Sequence, residues 1–411
     1  MSRLAAVDAQ TYWLSAKVPN DQFLLYAFDG APPVEPVVEL LRRRASMCHD
    51  LQLRILDDRR TAYPAWVRAS VAATQLVIHA GCDWAGCLNR VTALADDQVD
   101  PTAAAWRLHV FTPVVGVPGA IGPATVAVLQ ISHALADGTR SADLAGWLFG
   151  RPAPVTPIAG PARGSLLARS VAAARTHRQL LKDIEAGVLV AAPAPRPALL
   201  ANSAPAGARR VATLIRGRDT LGGPTVTVSV LAAVSTALAG FLGDRGQDTT
   251  RLAAEVPIAH SGIRHAHNHF RNIGVALRPE LAVAERAERI AAELSAGRVR
   301  GQHPATVAAR HAQEAVPAAL LRWGVGRFDE TARAPEVTGH TVLTSVNRGA
   351  ADLRFGTAPV LFTSGYPALS PMMSLVHGVN GVGETVTVSV HAAESAGDID
   401  EYVDRLDHAL G

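Results

Sequence analysis

The sequence predicts a mixed α/β fold built from two similar halves, and three observations lead to this prediction. Short apolar runs of strand length alternate with amphipathic helical patterns in residues 1–150. The same alternation returns after residue 210. Between the two lies one long helical pattern flanked by Pro- and Gly-rich stretches. We therefore predict an N-terminal half at 1–150, a crossover helix with linkers at 151–210, and a C-terminal half at 211–411.

Composition excludes several classes of protein. The 411 residues are 48% hydrophobic and 18% charged, which excludes a mostly disordered chain. The net charge is only +3 and aromatic residues make up 5%, without a concentrated basic face, so we expect no nucleic-acid partner. Cys48, Cys82 and Cys87 cannot complete a zinc site, and we expect reduced thiols. The chain opens without the apolar core of a signal peptide, so we expect a cytoplasmic protein. A mean hydropathy of +0.15 leaves peripheral membrane contact open.

Apolar patterning predicts the elements of the first half in turn. A run of strand length ends at the Asp29-Gly30 turn signal, and a helical face ending in arginines follows it. Two further apolar runs around a Pro- and Gly-containing turn predict a hairpin, and a helical pattern after it stops at Gly150. The predicted strands are 21–28, 106–115 and 125–132, and the predicted helices are 34–47, 85–94 and 141–149.

The crossover and the second half follow the same logic. A long helical pattern spans 165–190, between Pro- and Gly-rich stretches at 151–164 and 192–207. Strict alternation of valines with polar residues at 384–391 is the clearest strand signal, and Asp398 is placed to cap a last amphipathic helix. The remaining predictions are helices at 227–242 and 284–296, the latter stopped by Gly297, and strands at 252–258, 273–277 and 341–346.

The segment Ile131–Gly138, with the sequence I-S-H-A-L-A-D-G, is the main candidate for chemistry. A buried strand delivers His133 to a loop, where an imidazole with an ordinary pKa near roughly 6.5 can act as a general base. Asp137 can brace the loop by pairing with an arginine, and Gly138 can allow a tight turn before the next helix. From the spacing alone, a hydrogen-bonded structural histidine remains the alternative.

This segment resembles H-H-x-x-x-D-G, the signature of the bacterial wax ester synthase/diacylglycerol acyltransferase family. That family belongs to the superfamily of CoA-dependent acyltransferases, together with chloramphenicol acetyltransferase and peptide-synthetase condensation domains. By the resemblance His133 is the catalytic base, with Asp137 and Gly138 completing the catalytic motif. Ser132 stands where the family has its first histidine. The resemblance implies two chloramphenicol-acetyltransferase-like domains with mixed sheets and a tunnel between them.

Further motifs extend the resemblance along nearly the whole chain. Three of them have drifted from the family pattern. Asn272 follows Arg271, where the family has glycine before the asparagine. Thr344-Ser345-Val346 stands where the family has Ser-Asn-Val-Pro-Gly-Pro, and Thr227-Val228 stands where the family has an Asn-Asp pair. By resemblance, Ser132, Asn272, Thr227 and Ser345 are the substrate-binding candidates. The motifs that match in the first half are Asp8, Pro64-Ala65-Trp66 and the stretch 100–106.

The implied activity is acyl-CoA-dependent transfer of a fatty acyl group to an alcohol, as in wax ester or triacylglycerol synthesis. The implied partners are acyl-CoA as co-substrate and an alcohol or diacylglycerol acceptor, with no cofactor and no metal, and with peripheral contact to a membrane or lipid droplet left open. Two alternatives stay open. One is a condensation-type or polyketide-associated acyltransferase that uses a carrier protein. The other is a degenerate homologue that binds acyl-CoA or lipid without turnover.

A second histidine cluster lies at 260–269, in H-S-G-I-R-H-A-H-N-H. His265, His267 and His269 alternate, so a metal site is conceivable, but no carboxylate lies close in sequence. We therefore expect a polar loop between two strands that faces the cleft between the halves.

Overall fold

The structure is a computed structural model that describes residues 1–161 and 164–411. Residues 162 and 163, which fall in the predicted linker 151–164, lie outside the described residues. The helices in chain order are α1 Ala6–Ser15, α2 Val34–Met47, α3 Trp84–Ala93, α4 Gly138–Leu148, α5 Leu166–Glu185, α6 Val226–Gly243, α7 Val283–Gln302, α8 Pro304–Glu314, α9 Ala318–Gly326 and α10 Ile399–Leu410.

The strands form two large sheets and two small ones. They are β1 Ser2–Arg3, β2 Gln22–Phe28, β3 Leu53–Leu56, β4 Ala65–Arg68, β5 Leu76–His79, β6 Cys82–Asp83, β7 Trp106–Val115, β8 Ala124–Ile131, β9 Arg196–Pro197, β10 Arg209–Gly217, β11 Ala253–Ala259, β12 Phe270–Ala276, β13 Glu336–Val337, β14 Thr341–Asn347, β15 Arg354–Phe355, β16 Ala358–Tyr366, β17 Leu375–Val382 and β18 Thr385–Ala393.

The first large sheet has the strand order β15-β16-β2-β8-β7-β5, with β6 also paired to β7. The predicted hairpin, β7 and β8, lies at its centre, and every residue of β8 is buried. Two strands of this sheet come from late in the chain. Strand β16 runs antiparallel to β2, with Tyr366 opposite Phe23 and Thr363 opposite Tyr26. The second half therefore supplies an edge of the first sheet.

The second large sheet has the order β10-β18-β17-β14-β11-β12 and is mixed. Strand β14 runs parallel to both of its neighbours, β11 and β17, while the remaining pairs are antiparallel. Parallel pairing needs long crossover connections. Here the connection from β11 to β14 contains helices α7 to α9, and the connection from β14 to β17 contains strands β15 and β16. Each large sheet packs its own helices around a separate apolar core. The predicted fold class, mixed α/β with two halves, is confirmed.

The two large sheets touch where β16 meets β17 and β18. Gly378 on β17 packs directly on the backbone of Gly365 on β16, and a Cβ at position 378 would clash with the Gly365 carbonyl oxygen. Across the same contact, Thr387 Oγ1 donates to the carbonyl of Thr363 at 2.7 Å, and Ser389 Oγ donates to the carbonyl of Gly365 at 2.5 Å. The junction is therefore close and polar.

Helix α6 lies within the second core. Among the described residues it is the one helix long and apolar enough to cross a membrane, with a mean hydropathy of 1.9, and 61% of it is buried within the protein. Leu231, Val234 and Leu238 are each fully buried there. Its all-round apolar composition is accounted for by packing on the sheet and on α7 and α10.

Most predicted elements agree with the structure to within a few residues, and α2 and β7 match it end to end. Two helix ends are wrong. Helix α5 ends at Glu185, before the predicted end at 190. Helix α7 continues through Gly297 to Gln302. Gly297 is buried against Ile273, so this glycine allows close helix–sheet packing and does not end the helix. The strands β10, β16 and β17 were not predicted. The domain limits at 150 and 210 stay a prediction.

The contact between the sheets yields a first test. We expect Gly378→Ala to lower the free energy of unfolding by about 1–3 kcal/mol, because the added methyl group has no room against the Gly365 carbonyl. Gly324→Ala on α9 is the matched control, since a Cβ there meets open space. The control gains helix propensity and should be neutral or stabilising by up to about 1 kcal/mol. Urea unfolding of both variants measures the difference, and equal stability would contradict this packing.

Candidate active site

His133 lies in a cavity between the two halves. Strand β8 ends at Ile131, and two residues later the His133 side chain enters the wall of a cavity of about 370 Å³. We call it the central cavity. The first half contributes Gln22, Asp137 and Gly138 to its wall, and the second half contributes residues of β11, β12, β14, β16 and β17. A ligand in this cavity would contact both halves.

Two residues of the second half hold His133, one at its ring and the other at its backbone. Its ring stacks on Phe270, with 5.7 Å between ring centroids and an angle of 28° between ring planes. Asn268 Nδ2 donates to the His133 carbonyl oxygen at 2.7 Å. The Nδ1 atom is buried, without a hydrogen-bond partner among the described residues. Because the side chain lines the cavity while Nδ1 is sealed off, Nε2 is the nitrogen that a substrate can reach.

Burial lowers the pKa of His133, because the charged imidazolium loses its hydration. The nearby backbone carbonyl, the charge of Asp137 and the Asn268 amide oppose this effect without cancelling it. The imidazole is therefore neutral near pH 7. A neutral imidazole with one accessible nitrogen is the form that can accept a proton.

Asp137 ties the catalytic loop to the second half. As the N-cap of α4 it accepts the Arg140 backbone amide at 3.0 Å, a common role for aspartate at a helix start. It also accepts two N–H groups of Arg264, at 2.7 and 3.3 Å, and the His269 amide at 2.9 Å. Burial alone would raise the pKa of Asp137, but the Arg264 guanidinium and the amides hold it below its ordinary value. The arginine partner predicted from the sequence is thus Arg264.

A second buried carboxylate supports the same contact. Asp8 on α1 accepts the backbone amides of His267 and Asn268 at 2.9 and 2.8 Å, and Nδ2 of Asn268 at 3.0 Å. Burial raises the pKa of Asp8 to about 7, although these hydrogen bonds work in the opposite direction. Asn268 therefore bridges Asp8 and the His133 backbone. Asp8 matches the family pattern in the sequence, whereas no sequence motif pointed to Asn268.

Gly138 permits a close approach and does not form a left-handed turn. It is the first residue of α4, and its φ is not in the positive range. A Cβ at this position would lie 3.1 Å from Cγ2 of Val346 on β14. The expected tight turn is thus corrected: glycine is needed here because the helix start packs on the second half.

The four substrate-binding candidates separate into different places. Asn272 and Ser345 line the central cavity. Thr227 lies beside it, and its hydroxyl is 2.8 Å from that of Ser345. Asn272 lies within β12, whereas the sequence motif placed it before a strand, and its amide donates to Glu255 at 3.3 Å. Ser132 does not line the cavity, because it is buried on the opposite side of the chain from His133, where its Oγ accepts the Ala134 amide at 3.4 Å.

The histidine cluster forms part of this framework. His267 is buried, its Nδ1 lies against the Leu135 carbonyl, and its ring packs on Trp66 with 4.9 Å between centroids. Burial lowers its pKa to about 4. His265 is half-buried, and its Nδ1 lies 3.1 Å from the Ala159 carbonyl. Within residues 1–161 and 164–411 no group of three or more potential metal ligands lies close enough together to hold an ion. The segment is the expected polar stretch facing the cleft.

Two smaller cavities continue from the central one. A cavity of about 340 Å³ beside Thr227 and Arg271 shares Pro257, Ala259 and Ser345 with it. On another side, a cavity of about 210 Å³ beside Lys17 and His391 shares Val18, Pro19, Phe23, Ala368, Leu369 and Ser370 with it. The three cavities therefore adjoin one another at these shared residues, and His133 lines the middle one.

The described architecture is the fold of CoA-dependent acyltransferases and condensation domains. All of this chain and 98% of the wax ester synthase/diacylglycerol acyltransferase from Marinobacter aquaeolei VT8 superimpose, with a TM-score of 0.63 and 18% sequence identity. The first condensation domain of the calcium-dependent antibiotic synthetase gives a TM-score of 0.59 at 15% identity, over 100% of this chain and 95% of that domain. The starter condensation domain of rhizomide synthetase, in complex with C8-CoA and Leu-SNAC, gives 0.57 at 16%, over 100% and 92%.

No family model matches the sequence, and no curated relative does. At these identities the likeness shows the fold alone, and the resemblance is confirmed at the level of the fold.

The Asp137–Arg264 pair yields a second test. We expect Asp137→Asn to lower the free energy of unfolding by about 3–5 kcal/mol, because it leaves the partly buried Arg264 without its counter-charge. Any acyl transfer should fall together with stability. The double variant Asp137→Asn with Arg264→Gln should recover part of the loss, which a double-mutant cycle measures. An unchanged melting temperature with abolished turnover would instead indicate a direct chemical role for Asp137.

Proposed function

We propose that this protein is an acyltransferase that moves an acyl group from a thioester to a hydroxyl acceptor, with His133 as the general base. The observation that carries the proposal is the place of His133: its side chain lines a cavity that both halves build, and burial lowers the pKa of its imidazole. The fold shared with the acyltransferases and condensation domains supports it.

The chemistry can be written step by step. The acceptor hydroxyl gives its proton to Nε2 of His133 while its oxygen forms a bond to the thioester carbonyl carbon. The tetrahedral intermediate then collapses, the carbon–sulfur bond breaks, and the thiol leaves with the proton from Nε2. The histidine ends in its starting form, and the products are an ester and a free thiol. Asp137 fixes the loop by its four hydrogen bonds and takes no proton.

Acyl-CoA is the proposed donor, used as co-substrate without a separate cofactor. The two flanking cavities carry cationic side chains at their walls, Arg271 and Arg298 on one side and Lys17 and Arg333 on the other. Cations of this kind suit the phosphates of CoA. A fatty acyl chain and an alcohol or diacylglycerol acceptor are the proposed substrates. We further propose action in the cytoplasm, with peripheral contact to a membrane or lipid droplet.

A second candidate is transfer from a carrier protein. It is favoured by the condensation domains among the similar structures, whose TM-scores lie close to that of the wax ester synthase. The same acyl chain offered on CoA and on a phosphopantetheinylated carrier protein separates the two donors by rate. Binding of acyl-CoA with no thiol release from any donor, with any alcohol, would point to a binding protein without turnover.

The base is tested by removing it. We expect His133→Ala to lower the rate of acyl transfer by about 10²–10⁴-fold, because proton transfer then falls to water. Binding of acyl-CoA should persist, since the cationic side chains lie in the flanking cavities. Ser132→Ala is the neighbouring control and should have a mild effect, because Ser132 does not line the cavity. Thiol release with one active donor and acceptor measures both variants, and wild-type rates in His133→Ala would remove the mechanism.

The pH profile gives an independent test of the same residue. Because burial lowers the pKa of His133, its neutral form persists below the ordinary imidazole value of about 6.5. The acid limb of log kcat/KM should therefore lie below pH 6.5, as this ratio reports groups of the free enzyme. A limb near pH 7 would contradict this assignment and would point to Asp8, whose pKa is about 7. The profile of Asp8→Asn distinguishes the two.

A further inference from the structure

The wall of the central cavity contains a buried arginine with no acidic partner. Arg348 follows β14 and is only 4% exposed. Its Nη1 donates to the Tyr26 hydroxyl at 3.0 Å, and its Nη2 donates to Asn380 Oδ1 at 2.6 Å. Both partners are uncharged. Across residues 1–161 and 164–411, no carboxylate lies within ion-pair distance of this guanidinium, whereas the buried Arg140 is paired with Asp50.

Two N–H donors at this place are left unused. Arg348 Nε and Asn380 Nδ2 are both buried and have no hydrogen-bond partner among the described residues. Asn380 is also 4% exposed and lines the same cavity. Burying a donor without a partner is unfavourable, and burying a charge without a counter-charge is more so. Both donor atoms are covered in this structure, and the guanidinium carbon lies 5.3 Å from the Tyr26 ring centroid. A guanidinium in the wall of a cavity, with no carboxylate partner among the described residues, is a group that binds an oxyanion.

The backbone of Gly365 packs close against the pair. Gly365 on β16 faces the pair, and a Cβ there would lie 3.0 Å from Arg348 Nη2 and 3.1 Å from Asn380 Oδ1. A side chain at 365 would thus press on both donor groups. The position of the pair relative to His133 follows from β14. Val346 packs at the start of α4, directly after the His133 loop, and Arg348 lies two residues further on, about 7 Å along an extended chain.

We propose that Arg348 and Asn380 form an oxyanion-binding subsite, so that the acyl acceptor carries a carboxylate or a phosphate group in addition to its hydroxyl. The role of the ligand as acceptor rests on the proposed acyl transfer, while the binding of the oxyanion does not. The hydroxyl reaches His133 while the anionic group binds at Arg348. A hydroxy acid and a hydroxyalkyl phosphate share this chemistry, and the probes below distinguish them.

The test measures binding with three probes of equal chain length: octanoate, octyl phosphate and octan-1-ol. We expect the wild type to bind at least one of the two anions ten times or more as tightly as the alcohol, in isothermal titration calorimetry at constant ionic strength. Preference for octanoate assigns a carboxylate, and preference for octyl phosphate assigns a phosphate. Equal affinity for all three probes would overturn the subsite.

Three variants assign the effect to the pair. Arg348→Met should abolish the anion preference, while Arg43→Met, which removes the same charge from an exposed position on α2, should leave it unchanged. Asn380→Asp places a carboxylate against Arg348 as an internal counter-ion. It should raise the melting temperature and abolish anion binding together. This variant keeps the test decisive if Arg348→Met fails to fold. A lower melting temperature in Asn380→Asp, or retained anion binding, would contradict the proposal.

The binding test of the subsite can succeed or fail independently of the proposed acyl transfer. Anion preference with no thiol release from any donor would keep the subsite and remove the acyltransferase. With active enzyme, a matched pair of acceptors, 8-hydroxyoctanoate and octan-1-ol, extends the test to turnover. The Asn380→Asp variant should lose at least tenfold in kcat/KM for the hydroxy acid and little for the alcohol. A loss of equal size for both acceptors would contradict a role in recognising the anion.

Discussion

The buried carboxylate of Asp137 is the interaction on which the candidate site depends. It accepts hydrogen bonds from both halves of the molecule: the Arg140 amide of its own helix, and Arg264 and the His269 amide of the second half. Burying a carboxylate is costly unless its acceptors are satisfied, and here four donors satisfy it. The second half therefore helps to hold the loop that carries His133 in place.

The position of His133 follows from this constraint. Segment 264–269 supplies Arg264 to Asp137, two backbone amides to Asp8 and the Asn268 side chain to the His133 carbonyl. Phe270, the next residue, stacks on the imidazole. The segment 264–270 of the second half thus fixes the helix cap, the loop and the ring at once. A base placed with this accuracy needs no acidic partner on its ring to hold its orientation, which is consistent with the buried, unpartnered Nδ1.

Local patterning predicted the elements that carry their own signal. The helix at 34–47 and the strand at 106–115 have periodic apolar faces and clear boundaries, and both match the structure. Strand β16 lacks such a signal, because Pro359 interrupts its start and Thr363, Ser364 and Gly365 break its apolar run. Those small and polar residues are explained by the contact between the two sheets, which no local pattern reveals. For the same reason Gly297 was taken as a helix stop.

Some residues of the candidate site could likewise be predicted from local sequence, and others could not. The loop motif pointed to His133 and Asp137, and the structure places both at the central cavity. The partners of these residues could not be found from spacing, because Arg264 is 127 positions from Asp137 and Asn268 is 260 positions from Asp8. Asn268 sits in a stretch whose histidines drew attention to metal binding. The sequence did carry one signal for these contacts. Many hydrogen-bonding side chains lie between two strands in this stretch, and such side chains need partners, which the cleft supplies.

The central cavity is lined by two basic side chains, His133 and Arg348. An imidazole can give up its proton at modest cost, so burial makes His133 neutral and fit to act as a base. A buried guanidinium needs both hydrogen-bond acceptors and a counter-charge to offset its lost hydration. Among the described residues, Arg348 has hydrogen-bond acceptors in Tyr26 and Asn380 but no carboxylate as a counter-charge. The missing counter-charge is the reason to expect that the ligand of this cavity brings one.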